Sequence, residues 1–135
     1  MRFLDTNILL RYFTRDDEEK AQQALALLQR IEKGEEKVET SLPVIFETVF
    51  TLQRRYRMPL PQIKDLLIPI LRMRGLRLPS KNICIAALDL FVQRNISYVD
   101  AFNALYMHSR NIKEVYSWDT DFDHLQGIMR VEPED

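Results

Sequence analysis

Apolar residues follow two rhythms along this chain. Short bursts, "MRFL", "KVETS", "LRLP", "KEVYSW" and "IMRVE", have the length and residue types of strands. Between them lie longer stretches with apolar positions three or four apart, the spacing of an amphipathic helix. The clearest is "DDEEKAQQALALLQRIEKG", with acids in its first turn, Ala21, Ala24, Leu25, Leu28 and Ile31 on one face, and Gly34 as its stop. "ILLRYF" reads as a helix start after "DTN". In "SLPVIFETVFTLQRRY", Ser41 can cap and Pro43 sits where a first turn tolerates proline. "QIKDLLIPILRMRG" predicts a helix bent at Pro69, and "SKNICIAALDLFVQRN" and "SYVDAFNALYMHSRN" predict two more. Strands alternating with helices, without hairpin turn signals, predict a mostly parallel sheet covered on both faces.

Length and composition keep this picture simple. At 135 residues, with 46% hydrophobic and 29% charged side chains, the chain is expected to be one soluble globular domain, 1–135, with no linker, repeat or low-complexity tract. A lone Cys84 rules out an internal disulfide and fits a reducing cytosol. No apolar run reaches the roughly 18 residues of a membrane span, and "MRFLDTN" meets an acid too early for a signal peptide. The expected location is cytoplasmic, with no membrane contact. A net charge of −1 argues against an all-over basic surface, yet Arg54, Arg55 and Arg57, then Arg72, Arg74 and Arg77, concentrate positive charge mid-chain around Tyr56. Each cluster by itself is ordinarily a solvated helix end.

The acids carry the chemistry. "SWDTDFDHL" places Asp119, Asp121 and Asp123 directly after an apolar strand. One reading is local, with Thr120 and Asp123 as a capping box. The other is that a strand delivers carboxylates to its end to hold a cation, since oxygen ligands suit Mg²⁺ or Mn²⁺. In open parallel sheets, ligands bind beyond the carboxyl ends of the strands. Asp5 and Asp119 end strands there, and Asp100 lies in the first turn of the helix preceding the "VYSW" strand. Asp5 can instead cap "ILLRYF", and Ser97 with Asp100 fits a capping box. Glu47 sits among Val44, Ile45, Phe46, Val49 and Phe50, where an unpaired buried carboxylate is costly unless it turns to solvent or finds a partner. Four acids far apart in sequence and mapping to one sheet edge favour the cation.

"FLDTNILLRY", "PVIFETVF", "SYVDAFNALYM" and "VYSWDTDFDHL" resemble, in order, context and spacing, the four acidic motifs of PIN-domain ribonucleases. The likeness runs nearly the whole length and is greatest to the compact single-domain VapC-type toxins. The resemblance implies an α/β three-layer fold with a central five-stranded parallel sheet flanked by helices, a homodimer, a cognate antitoxin protein and an RNA substrate. It assigns Asp5, Glu47, Asp100 and Asp119 to the catalytic acids. Asp5, Asp100 and Asp119 would ligate Mg²⁺ or Mn²⁺ directly, and Asp121 matches a further acid of varying role. Thr6, Asn7 and Ser117 occupy small polar positions that hold the acids or water.

Under that likeness a bound divalent ion activates water toward an RNA phosphodiester, and Arg54, Arg55, Arg57, Arg72 and Arg74 are candidates to hold the backbone. His108 and His124 are more ordinary as structural residues than as ligands. Tyr12, Phe13, Phe46 and Phe50 are expected in the core or a dimer seam. The alternative is an inert PIN-like module that binds RNA or protein and keeps its acids for structure. A receiver domain lacks here its acidic pair and late Lys, and too few residues follow Asp123 for a haloacid-dehalogenase-like phosphatase.

Overall fold

The computed structural model describes residues 1–134. In chain order the elements are β1 (Arg2–Phe3), α1 (Thr6–Thr14), α2 (Glu18–Lys33), β2 (Val38–Glu39), α3 (Leu42–Arg54), α4 (Leu60–Leu71), β3 (Leu76–Arg77), α5 (Lys81–Arg94), α6 (Tyr98–Ser109), β4 (Glu114–Tyr116), a short 3-10 helix (Thr120–His124) and β5 (Met129–Val131). Every stretch expected to be a strand or helix is one.

Local chemistry sets the ends. Asp17 accepts from the Lys20 amide at the start of α2, and Gly34 closes it with φ 79°, a left-handed conformation open to glycine. Ser97 accepts from the Asp100 amide to start α6. Ser41 precedes α3 without a side-chain cap, so Pro43, in the first turn, is what favours a helix there. Pro69 lies near the end of α4, which continues only to Leu71.

The strands pair in parallel as β1-β2-β3 and, separately, β4-β5. The single five-stranded sheet is therefore not formed: no ladder joins β1 to β4 among the described residues. Strand length explains the break. Successive residues of a parallel strand bond alternately to the two sides, so two-residue β1, with Leu4 already donating to Glu39, has one residue left for its other edge.

Covering on both faces fails as well. Register puts Val38 beside Leu76 and Glu39 beside Arg77; the first pair is buried and the second exposed. Leu4, Thr40 and Leu78 continue the buried face, and Phe3 the exposed one. The helices cover one side of this small sheet.

Leu4, Leu9, Ile31, Ile45, Leu67 and Phe91 are fully buried at the centre of one continuous core. Phe46 meets Tyr98 and Phe102 edge-on with centroids 5.8 and 5.3 Å apart, clamping α3 onto α6. Phe46, Tyr12 and Phe13 pack against the core as expected, whereas Phe50 is exposed beneath Arg54. Cys84 is buried, its thiol pKa pushed up to about 11 by burial, which suits an inert packing residue. Among the described residues, every buried side-chain nitrogen and oxygen has a hydrogen-bond partner.

Candidate active site

Three carboxylates converge where β4 ends and α6 begins. Oxygens of Asp100, Asp119 and Asp121 all lie within 4.8 Å of one another. Asp100 is delivered by the first turn of α6, where the Ser97 hydroxyl holds its amide at 3.1 Å. Asp119 follows β4, its amide donating to the Ser117 hydroxyl at 2.9 Å. The Asp121 amide in turn donates to the Asp119 carboxylate at 2.9 Å. Asp119 is thus both a cluster member and the cap of the 3-10 helix, a part that Thr120 does not play. Asp123 leaves the group: Arg130 grips both its oxygens, at 3.0 and 3.3 Å.

Burial pushes the Asp100 carboxyl pKa up; the Ser97 bond opposes this, and the charges of Asp119 and Asp121 add to the rise. Three crowded carboxylates suit a hard divalent cation. Their 4.8 Å spread is within a small side-chain rotation of the roughly 4.2 Å that spans an octahedral Mg²⁺.

Asp5 and Glu47 stand outside this tight group but are tied to its neighbourhood. Asp5 precedes α1 in extended conformation and its side chain makes no capping bond. The cheap explanation of that residue therefore fails. Buried Thr6 donates from its hydroxyl to Glu47 at 3.1 Å, which brings the α3 carboxylate to the residue after Asp5. Glu47 is exposed rather than near the core: Pro43, Glu47 and Phe50 share the solvent face of α3. Phe46, one residue earlier, packs on Tyr98 and Phe102, which flank Asp100. Thr40 fixes the end of β1 by donating to the Leu4 carbonyl at 2.8 Å.

The arginines separate into two places. Arg55 and Tyr56 line a small cavity with Asn7, Arg11, Thr14 and Asp16, next to the Asp5 turn. Tyr56 donates to Asp16 at 3.0 Å, and Arg11 and Thr14 hold the same carboxylate. Arg54 and Arg57 are exposed nearby in sequence. Arg74 instead joins Lys37, Arg77 and Lys81 around a cavity of about 390 Å³, where β2 and β3 begin, at the end of the strands opposite Asp5. Arg72, just beyond α4, is exposed. His108 and His124 lie outside the carboxylate group.

Arg130 escaped the sequence reading. It donates to Asp123, Glu132 and the Ser117 carbonyl, pinning the turn that carries Asp119. A charged residue inside the apolar strand "IMRVE" was the available signal. The Asp16 network had none, because its members come from α1, the turn after it and the end of α3.

Parallel strands interleaved with helices, with carboxylates gathered past a strand's carboxyl end, are the arrangement expected of a PIN domain. The sequence matches the PIN domain family over residues 2–128, and the chain belongs to that family. It is 26% identical to the VapC ribonuclease of Aquifex aeolicus (strain VF5), across 133 residues that cover 98% of this chain and 97% of that protein. Among the described residues, no helix is long and apolar enough to cross a membrane.

Proposed function

We propose that this chain is the endoribonuclease toxin of a toxin–antitoxin pair, hydrolysing RNA phosphodiester bonds with Mg²⁺ or Mn²⁺. The observation that carries the reading is the Asp100, Asp119 and Asp121 cluster in a PIN domain, supported by a relative of nearly equal length called a VapC ribonuclease.

These three carboxylates would hold the cation, with Asp5, whose side chain is uncommitted, reaching in from the end of β1. When bound, such an ion supplies a water of lowered pKa and a positive charge beside the leaving oxygen. The chain supplies the rest. The Ser117 and Ser97 hydroxyls fix the backbone of Asp119 and Asp100. Thr6 orients Glu47, leaving its other oxygen to position water. Arg55, beside Asn7, is the best placed of the arginines to steady a phosphate against the repulsion of the acids. Arg74, at the far end of the strands, lies too remote for the scissile group. A cognate antitoxin and a homodimer belong to the same proposal.

The test is a cleavage assay on structured and unstructured RNAs, run with Mg²⁺, Mn²⁺ or EDTA, comparing wild type with Asp100→Asn and Asp119→Asn. Cleavage should require the metal and be lost in both variants. Mn²⁺ should also change the fluorescence of Trp118, the single Trp, saturably, with the midpoint moved to higher metal in Asp119→Asn. RNA binding by all three proteins without cleavage by any would establish the inert module instead.

A further inference from the structure

Two large aromatic side chains stand in solvent directly before the carboxylate cluster. Tyr116 is 77% exposed and Trp118 71% exposed, while Val115 and Ser117 between and before them are half-buried. Tyr116 is the last residue of β4 and Trp118 follows two residues on, in the bend that leads to Asp119, with half-buried Ser117 between them. Leaving two such rings in water forgoes substantial burial, so their place calls for a partner.

Their backbone is held firmly. The Ser117 amide donates to the Val131 carbonyl at 3.1 Å, Arg130 donates to the Ser117 carbonyl, and the Asp119 amide is tied to the Ser117 hydroxyl. The rings therefore project from a fixed ribbon. The bend at Trp118 leads directly to Asp119.

We propose that Tyr116 and Trp118 form a stacking platform for two successive unpaired bases of the RNA, next to the bond to be cut. The assignment rests on the ribonuclease reading, because a phosphodiester seated at Asp119 must carry its neighbouring nucleotides past these rings. Every base has a π-face, so two aromatic rings one step apart accept successive bases without demanding a sequence. Glu114, exposed on the same side of β4, can accept from an exocyclic amino group and repels phosphate, which turns bases rather than backbone toward the strand. The apolar area is also small. Beside the rings, the paired strand adds only exposed Met129 and half-buried Val131 as apolar surface. Bases paired in a duplex cannot stack this way, so the platform selects single strands and loops.

The experiment compares wild type, Tyr116→Ala, Trp118→Ala, Trp118→Phe and the double alanine variant. Binding of a labelled single-stranded RNA of about a dozen nucleotides is followed by anisotropy in EDTA, and by quenching of Trp118 in wild type. The same RNA annealed to its complement is the control, and melting temperatures establish that the exposed substitutions leave the fold intact. Each alanine should weaken single-strand binding roughly tenfold. Trp118→Phe should recover most of the loss, and duplex RNA should bind wild type little better than the single strand binds the double variant. With metal, the variants should raise KM more than they lower kcat. Unchanged single-strand affinity in the double variant, or no quenching on binding, would overturn the platform. Wild type that binds and is quenched but never cleaves would leave the platform standing and remove the ribonuclease reading. Cleavage by the double variant with wild-type KM would do the reverse.

Discussion

At Asp100 a single carboxyl group links folding to chemistry. Its pKa is raised above the ordinary 3.8 by burial and by its acidic neighbours, so the folded state holds this proton more tightly than the unfolded chain does. The stability it contributes is complete below the unfolded value and is lost as pH rises through the raised one. Asp100→Asn cannot ionise and avoids that loss. In EDTA at neutral pH it should melt above wild type; near pH 3, below the ordinary carboxyl value, the two should converge. A gain that persists undiminished at low pH would mean that the asparagine stabilises the site by something other than removing a charge. Asp100 and Asp119 were legible because acids that close a strand or open a helix fall at one end of a parallel sheet, whereas Asp121 came in only with the acidic motif it shares with Asp119. For Glu47 its apolar neighbours left burial and solvent both open; a helix turns about 100° per residue, and the exposed positions 43, 47 and 50 keep that period, which puts it in solvent.

Among elements, the positions of strands and helices could be read and their pairing could not. Side-chain rhythm marks where a strand lies. Whether two edges meet depends on a few backbone groups, and in strands of two or three residues those leave almost no trace in residue type. The approach of β3 to the end of α2 is one such backbone feature. Gly75 donates to the Ile31 carbonyl at 2.9 Å, and a Cβ on Gly75 would lie 2.2 Å from the Glu36 carbonyl oxygen and 2.8 Å from that of Ile31. Neither oxygen is the tip of a flexible side chain. Gly75→Ala must therefore push β3 away from this turn, and urea unfolding should report a loss of at least about 2 kcal/mol. A near-neutral result would mean that the β2–β3 pairing yields more easily than its hydrogen bonds suggest.

For the molecule as a whole, length and composition pointed to one domain, and the four acidic motifs to its family. The open face of the small sheet was hidden, since alternation needs more residues than β1, β2 or β3 contains. That sheet also has two unlike borders. On the β3 side, the Gly75 and Arg77 carbonyls accept from Val38 of β2 and from Thr40 just after it, so the Leu76 carbonyl faces outward, where the Lys81 ammonium donates to it. Burial lowers the pKa of Lys81, so its charge is surrendered earlier on the alkaline side than that of an ordinary lysine. A charged side chain laid across a border strand obstructs a second chain from adding there. The expected consequence is that this ammonium hinders edge-to-edge addition of a strand, and does so less once alkaline pH removes its charge. Lys81→Met should scatter light and bind amyloid dyes at concentrations where wild type stays clear, and wild type should begin to follow it as the solution is made strongly alkaline.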